Sequence, residues 1–121
     1  MTNSLYALTG ASGFIGSAML AKLNAQGIEN VLIVDEPSSK ELESDEKWKN
    51  LRGKRFLDYL PKEEFLKRIL ENKLPSELKT IIHLGACSST TEKDMNFLLE
   101  NNYRYSVHLA QYSQRNGVYF M

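Results

Sequence analysis

The stretch "LTGASGFIGS", Leu8–Ser17, joins an apolar segment to the start of a helical pattern and carries three glycines spaced three apart. In such a turn one glycine permits tight turning, one lets the backbone approach a pyrophosphate, and one allows the helix to pack closely. A following helix directs its free N–H groups and the positive end of its dipole at the phosphates. Gly10, Gly13 and Gly16 therefore predict a dinucleotide-binding loop.

Strand and helix patterns alternate outward from this loop. They predict strands at Leu5–Thr9, Val31–Val34, Arg55–Leu57, Thr80–Leu84 and Val118–Met121, and helices at Phe14–Gln26, Pro61–Glu71 and Glu92–Asn116. Gly27 and Gly117 follow two of these helices, where a C-terminal cap favours positive φ. The alternation predicts an α/β fold with a doubly wound parallel sheet, truncated after the start of its fifth strand.

Composition limits the classes of function that fit. The chain has 121 residues, enough for one domain, and its 15 basic and 15 acidic residues cancel, so nothing suggests a nucleic-acid partner. Its single cysteine, Cys87, excludes a disulfide framework and a multi-cysteine zinc site, and we expect no metal. Neither a signal peptide nor a membrane-spanning run is present, which favours a cytoplasmic protein without a membrane partner.

An acidic residue follows the second predicted strand, where it could accept hydrogen bonds from the adenosine ribose. Asp35 lies about 20 residues beyond the last glycine, as a dinucleotide site requires. A carboxylate there favours NAD, whereas Lys40, Lys47 and Lys49 in the following loop could neutralise the 2′-phosphate of NADP. The residues themselves leave both cofactors open, and these lysines are equally consistent with a solvated surface.

Further candidates follow the third and fourth predicted strands. Asp58 is placed at a carboxyl end, where it would contact an adenine or be a surface carboxylate, and Lys62 has the same two interpretations. Small residues at 85–88 would let a ribose or nicotinamide pass over the backbone, or would form an ordinary tight turn. We interpret Cys87 as a small buried thiol and His83 as a core histidine with satisfied hydrogen bonds.

Several segments carry a resemblance to known proteins. The spacing of "TGASGFIG", Thr9–Gly16, resembles that of the extended short-chain dehydrogenase/reductases. Two longer segments are similar to the ADP-glyceromanno-heptose 6-epimerase family: "HLGACSSTTEKDMNFLLENNYRYS", His83–Ser106, and "DYLPKEEF", Asp58–Phe65. The likeness extends from Tyr6 to Met121 and implies a Rossmann-type domain that binds NAD(P) over residues 1–121.

The resemblance also implies which residues contact the cofactor. Position by position, these are Phe14, Ile15, Asp35, Glu36, Lys47, Lys62, Leu84, Gly85, Ala86, Cys87, Ser88 and Asn101. The family prefers NADP, which implies that Lys47 meets a 2′-phosphate beside Asp35. Where the family has a glutamate before "GACSS" this chain has Leu84, so the resemblance there implies backbone contact alone.

Members of the family invert a heptose carbon by passing a hydride to the nicotinamide and returning it to the other face. The resemblance thus implies an ADP-heptose substrate, a role in lipopolysaccharide synthesis and a homo-oligomer. The family's catalytic tyrosine and lysine form a YxxxK motif, and none occurs here: a lysine four residues on is lacking after Tyr103, Tyr105, Tyr112 and Tyr119.

We therefore expect this chain to be the N-terminal, cofactor-binding part of an epimerase, with no catalytic residue of its own. A different extended reductase, such as a nucleotide-sugar 4-epimerase or a dehydratase, would use the same half-site. A non-catalytic module that senses NAD(P) is the alternative from another class. Sequence continuing into a YxxxK motif would exclude that module.

Overall fold

A computed structural model describes residues 4–35, 49–84 and 95–121, and within these it describes residues 95–101 by their backbone alone. The described part contains one five-stranded sheet with strand order β3-β2-β1-β4-β5, and every pairing is parallel. In chain order the elements are β1 (Leu5–Thr9), α1 (Phe14–Ala25), β2 (Val31–Asp35), β3 (Asp58–Pro61), α2 (Lys62–Glu71), β4 (Leu78–His83), α3 (Met95–Asn116) and β5 (Tyr119–Phe120). This is the predicted doubly wound α/β sheet.

Helices cover both faces of the sheet, which explains the unbroken apolar run of β2. Val31 and Ile33 belong to the apolar cluster that includes α1, and neither is accessible to solvent. Leu32 and Val34 point to the other face, where they join the cluster of α2 and α3 around the buried ring of Phe65. A strand buried on both faces needs apolar residues at every position.

The third strand lies further along the chain than predicted. Arg55–Leu57 is not a strand, because the side-chain amide of Asn24 binds both the N–H and the carbonyl of Arg55, at 2.8 and 2.9 Å. These backbone groups are thereby withdrawn from the sheet ladder. The first hydrogen bond to β2 runs from the Leu57 N–H to the Val31 carbonyl, at 2.8 Å, and residue pairing begins at Asp58, opposite Leu32. The prediction for Arg55–Leu57 is wrong by three residues.

Two helix ends carry the glycine that the sequence predicted, and the end of α2 carries an asparagine that it did not predict. Gly27 and Gly117 adopt φ of +82° and +65° just after α1 and α3. Pro61 is the last residue of β3 and the N-cap of α2, so the predicted helix starts one residue later than expected. Asn72 ends α2 in the left-handed conformation, at φ 55°.

The strand order indicates where along the sheet a ligand would bind. From β1 the chain runs outward to β2 and β3, and then returns to place β4 on the other side of β1. In open α/β sheets ligands bind at the carboxyl ends of the strands where the order reverses. Here this is the crevice between Thr9, at the end of β1, and His83, at the end of β4.

Candidate functional site

Two of the three glycines in the loop after β1 are required by the protein's own backbone. Gly10 has φ of +71°, a conformation that side chains disfavour, and its N–H donates to the carbonyl of Val34 at 2.7 Å. A Cβ on Gly16 would lie 1.8 Å from the carbonyl oxygen of Gly10. The sharp turn and the close packing of α1 on that turn therefore account for Gly10 and Gly16.

Gly13 differs, because the protein itself leaves room for a side chain there. Its φ and ψ of −74° and 175° are open to any residue. A Cβ built on Gly13 would have the Gly10 carbonyl oxygen as its nearest neighbour, at an ordinary contact distance of 3.4 Å. Space at this position is what a dinucleotide-binding turn needs, because a pyrophosphate approaches the backbone closely there.

The first turn of α1 provides an electrostatic reason for an anion to bind here. Gly13 is the N-cap and offers no side-chain cap, and the first turn has no acidic residue. The positive end of the helix dipole is therefore not compensated by the helix's own side chains. Phe14 and Ile15 are 86% and 67% exposed, although large apolar side chains usually avoid water. Both lie beside the open glycine, as expected for a surface that a ligand covers.

Asp35 is bound to the same loop. Its carboxylate accepts the N–H of Ser12 at 2.9 Å and also the Ser12 hydroxyl. The side-chain amide of Asn50 donates to the Ser12 carbonyl at 2.8 Å. Hydrogen bonds therefore fix the backbone of Ser12 at both its N–H and its carbonyl. Asp35, at the end of β2, lies beside the turn, as ribose recognition requires.

Ser12 and Asn50 were not among the residues predicted for the site. Ser12 could have been found, since it is a polar residue between two glycines of the loop, where a side chain meets whatever follows β2. Asn50 lies in a long polar stretch that contains no motif, and its contact with Ser12 spans 38 residues. The sequence offers no signal for that pairing.

The crevice between β1 and β4 is crossed by hydrogen bonds. The hydroxyl of Thr9 lies 2.7 Å from Nδ1 of His83 and accepts the N–H of Leu84 at 2.9 Å. Leu84 was predicted to contact the cofactor through its backbone, and its N–H is already donated to Thr9. On the far side of the ring, Nε2 of His83 lies 2.9 Å from the hydroxyl of Ser106 in α3.

His83 is enclosed as well as hydrogen-bonded. Its ring stacks on Tyr105 and Phe120, with ring centres 5.7 and 6.1 Å apart. Burial lowers the pKa of His83 below its usual value, and the positive charge of Lys62 lowers this pKa further. The neutral imidazole is favoured. The predicted hydrogen bonds of His83 are present, but the residue is half-buried and does not belong to the apolar core.

Lys62 and Asp58, both site candidates, lie at opposite ends of β3. Lys62 follows the strand at its carboxyl end, with its ammonium 4.8 Å from the ring centre of Tyr105 and its carbonyl accepting the Tyr105 hydroxyl at 3.1 Å. Asp58 begins the strand instead of following it, and is exposed. Its predicted placement at a carboxyl end is wrong, because the strand starts three residues later than expected.

Lys49 is exposed at the start of the described segment 49–84. The other remaining candidates lie outside the described residues: Glu36, Lys40, Lys47, Gly85, Ala86, Cys87, Ser88 and the side chain of Asn101. Among the residues that are described, no three His, Cys, Asp or Glu side chains are grouped closely enough to hold a metal ion. Within the same ranges, no helix combines the length and apolar character needed to cross a bilayer.

Comparison with known proteins identifies close relatives by sequence. The chain is 44% identical over 117 residues to an ADP-L-glycero-D-manno-heptose-6-epimerase of Nitratidesulfovibrio vulgaris, covering 97% of this chain and 35% of the relative. It is 34% identical over 114 residues to the enzyme of the same name from Fusobacterium nucleatum, covering 94% of this chain and 33% of the relative. The chain thus spans about a third of the length of these curated relatives.

Solved structures share the fold. The crystal structure of Helicobacter pylori ADP-L-glycero-D-manno-heptose-6-epimerase matches with a TM-score of 0.76 and 21% identity, covering 98% of this chain and 37% of that one. UDP-glucose-4-epimerase from Stenotrophomonas maltophila, with bound NAD and formylated UDP-arabinopyranose, matches with a TM-score of 0.68 and 22% identity, covering 96% and 35%.

A family model also matches almost the whole chain. Its description is NAD dependent epimerase/dehydratase family, and the match covers residues 6–121. The region matched includes the glycine loop, Asp35 and the Thr9–His83 crevice. The chain belongs to the NAD dependent epimerase/dehydratase family.

Proposed function

We propose that residues 1–121 form the dinucleotide-binding domain of an ADP-L-glycero-D-manno-heptose 6-epimerase, which inverts C6 of the heptose for the inner core of lipopolysaccharide. The observation that carries the proposal is the room at Gly13, a glycine that the fold does not require, at the uncapped start of α1. The substrate is suggested by the similarity to enzymes of that name over nearly the whole chain.

The residues of the glycine loop fit a dinucleotide. The pyrophosphate would lie over Gly13 and accept hydrogen bonds from N–H groups of the first turn of α1, whose dipole favours negative charge. Phe14 and Ile15 would cover it, which explains their exposure in the protein alone. Asp35, oriented by Ser12, would accept hydrogen bonds from the adenosine ribose.

We propose NADP as the cofactor, with NAD as the alternative. Lys47 would pair with the 2′-phosphate beside Asp35, as the family resemblance implies, and Glu36 would lie next to it. The segment Leu84–Ser88 and Asn101 would complete the site on the β4 side, and Lys62 would approach it from α2.

A bound nicotinamide supplies reversible hydride acceptance from the heptose carbon. This chain's own residues bind and orient the dinucleotide, and the crevice between β1 and β4 directs it along the carboxyl ends of the strands. The tyrosine base and its lysine would come from sequence beyond these 121 residues. The complete enzyme would act in the cytoplasm as a homo-oligomer on its nucleotide-sugar substrate.

Activity of the natural-length protein tests this proposal. With NADP bound, we expect conversion of ADP-D-glycero-D-manno-heptose to its C6 epimer, and no turnover of UDP-hexoses. Turnover of a UDP-hexose would instead support a nucleotide-sugar 4-epimerase or dehydratase on the same half-site. Dinucleotide binding without turnover of any nucleotide sugar would support the non-catalytic module.

A further inference from the structure

The last turn of α3 ends in a dipeptide that is chemically reactive. Asn116, the last residue of the helix, is followed by Gly117, and this is the one Asn-Gly pair in the 121 residues. The backbone nitrogen of a following glycine attacks an asparagine side chain readily, because glycine has no Cβ to hinder the approach. Both residues are exposed to solvent. The pair therefore combines a reactive sequence with access to water.

The folded helix holds the Asn116 side chain away from that nitrogen. Its amide group donates to the carbonyl of Tyr112, one turn earlier, at 2.9 Å. Side chains of a helix lean toward its N-terminus, whereas the Gly117 nitrogen lies on the C-terminal side of Asn116. Ring closure between the two therefore requires the bond to Tyr112 to break and the helical backbone at Asn116 to rotate.

Two contacts just beyond the helix determine how often this turn opens. Gly117 has a φ of +65°, and the N–H of Val118 then donates to the carbonyl of Ser113 at 2.9 Å, a bond typical of helix ends. The Val118 side chain is buried in the apolar cluster that includes Leu109 and Tyr112. Helix ends open at a lower free-energy cost than the core does. The burial of Val118 thus contributes to the free energy needed to open the last turn.

We propose that Asn116 is a modification site, which deamidates spontaneously when the last turn of α3 opens. The Gly117 nitrogen forms a bond to the side-chain amide carbon of Asn116, the carbon–nitrogen bond of the amide breaks, and ammonia leaves with the proton of the Gly117 N–H. Water then opens the succinimide ring to give aspartate or isoaspartate, without an oxidant or a reductant. The product lacks the donor to Tyr112 and places a negative charge at the C-terminus of α3, where the helix dipole disfavours it.

Peptide mapping by mass spectrometry of the natural-length protein, incubated at mildly alkaline pH, measures this reaction. We expect slow conversion of Asn116 in the native protein, and conversion roughly tenfold faster or more in urea, where the helix no longer holds the side chain. Asn72 is exposed at the end of α2 but is followed by Lys73, so it is the internal control and should change little in either condition. No conversion of Asn116 in the native protein, equal rates in the two conditions, or equally fast conversion of Asn72 would each overturn the proposal.

A pair of valine substitutions distinguishes opening of the last turn of α3 from unfolding of the whole domain. Val118→Ala removes apolar contacts just after the helix and should raise the rate at Asn116 in the native protein about fivefold. Val31→Ala removes the same atoms from the buried cluster beside α1 and should leave that rate within about twofold of the wild type. Both variants should react as the wild type does in urea. Equal acceleration by the two substitutions in the native protein would show that global unfolding controls the reaction, contrary to the proposal.

The stability of a variant that mimics the product tests the consequence of the modification. Asn116→Asp should lower the urea midpoint, because it removes the donor to Tyr112 and adds a negative charge at the end of α3. Asn116→Gln adds no charge and should lower the midpoint less. Equal midpoints for the wild type and Asn116→Asp would overturn the claim that deamidation weakens the end of α3.

Discussion

At the scale of single residues, the three glycines of the loop have different structural roles. Gly10 is needed for a left-handed turn, and Gly16 is needed because its Cβ position coincides with the Gly10 carbonyl. Gly13 has neither requirement. The spacing of the motif assigns the same importance to all three glycines. The structure distinguishes the two that the fold requires from the one that leaves space for a ligand.

This distinction predicts that the same substitution lowers stability much more at Gly16 than at Gly13. Gly16→Ala should lower the free energy of unfolding by about 2 kcal/mol or more, because the added methyl group overpacks backbone that cannot move away easily. Gly13→Ala should lower it by less than about 1 kcal/mol, the usual difference at an N-cap. Urea denaturation of both variants measures the contrast, and equal losses of stability would contradict the assignment.

His83 predicts a dependence of stability on pH. Its pKa is lowered in the folded protein by burial and then by Lys62, while in the unfolded chain it returns to its usual value of 6.5. The unfolded state therefore binds the proton first as pH falls, so this contribution is fully present above pH 6.5 and is lost below it.

The difference in unfolding free energy between wild type and His83→Gln, measured from pH 8 down to pH 5 in about half-unit steps, isolates this effect. We expect the wild type to lose more of its free energy of unfolding than the variant as the pH falls. Parallel curves for the two proteins would show that His83 titrates alike in both states, contrary to its enclosure by Tyr105 and Phe120.

At the scale of elements, the apolar and helical patterns predicted the existence of each strand and helix within residues 4–35, 49–84 and 95–121, but they placed β3 three residues too early and the start of β4 two residues too late. The segment Arg55–Leu57 contains Phe56 and Leu57, which resemble a short strand, but Asn24 binds the backbone of Arg55 from α1. That contact joins positions 31 residues apart, and no local pattern encodes it. Because the strand was predicted too early, Asp58 was expected after its carboxyl end, whereas it is the first residue of β3.

At the scale of the whole molecule, alternation of strands and helices was sufficient to predict the parallel, doubly wound sheet. The glycine loop and Asp35 were also predictable, because both belong to a local strand-turn-helix-strand unit. The long-range hydrogen bonds between the strand ends at the site were not predictable from the sequence. Thr9 and His83 are 74 positions apart, and their pairing follows from the order in which β1 and β4 lie side by side.

The central claim is that the glycine loop binds a dinucleotide over Gly13, and titration of NADP and NAD against wild type and Gly13→Val tests it most directly. Ala21→Val, on the exposed surface of the same helix, is the matched control. We predict that Gly13→Val weakens binding of both cofactors by roughly tenfold or more, through obstruction of the pyrophosphate, while Ala21→Val binds as the wild type does. Equal binding by all three proteins would contradict the account.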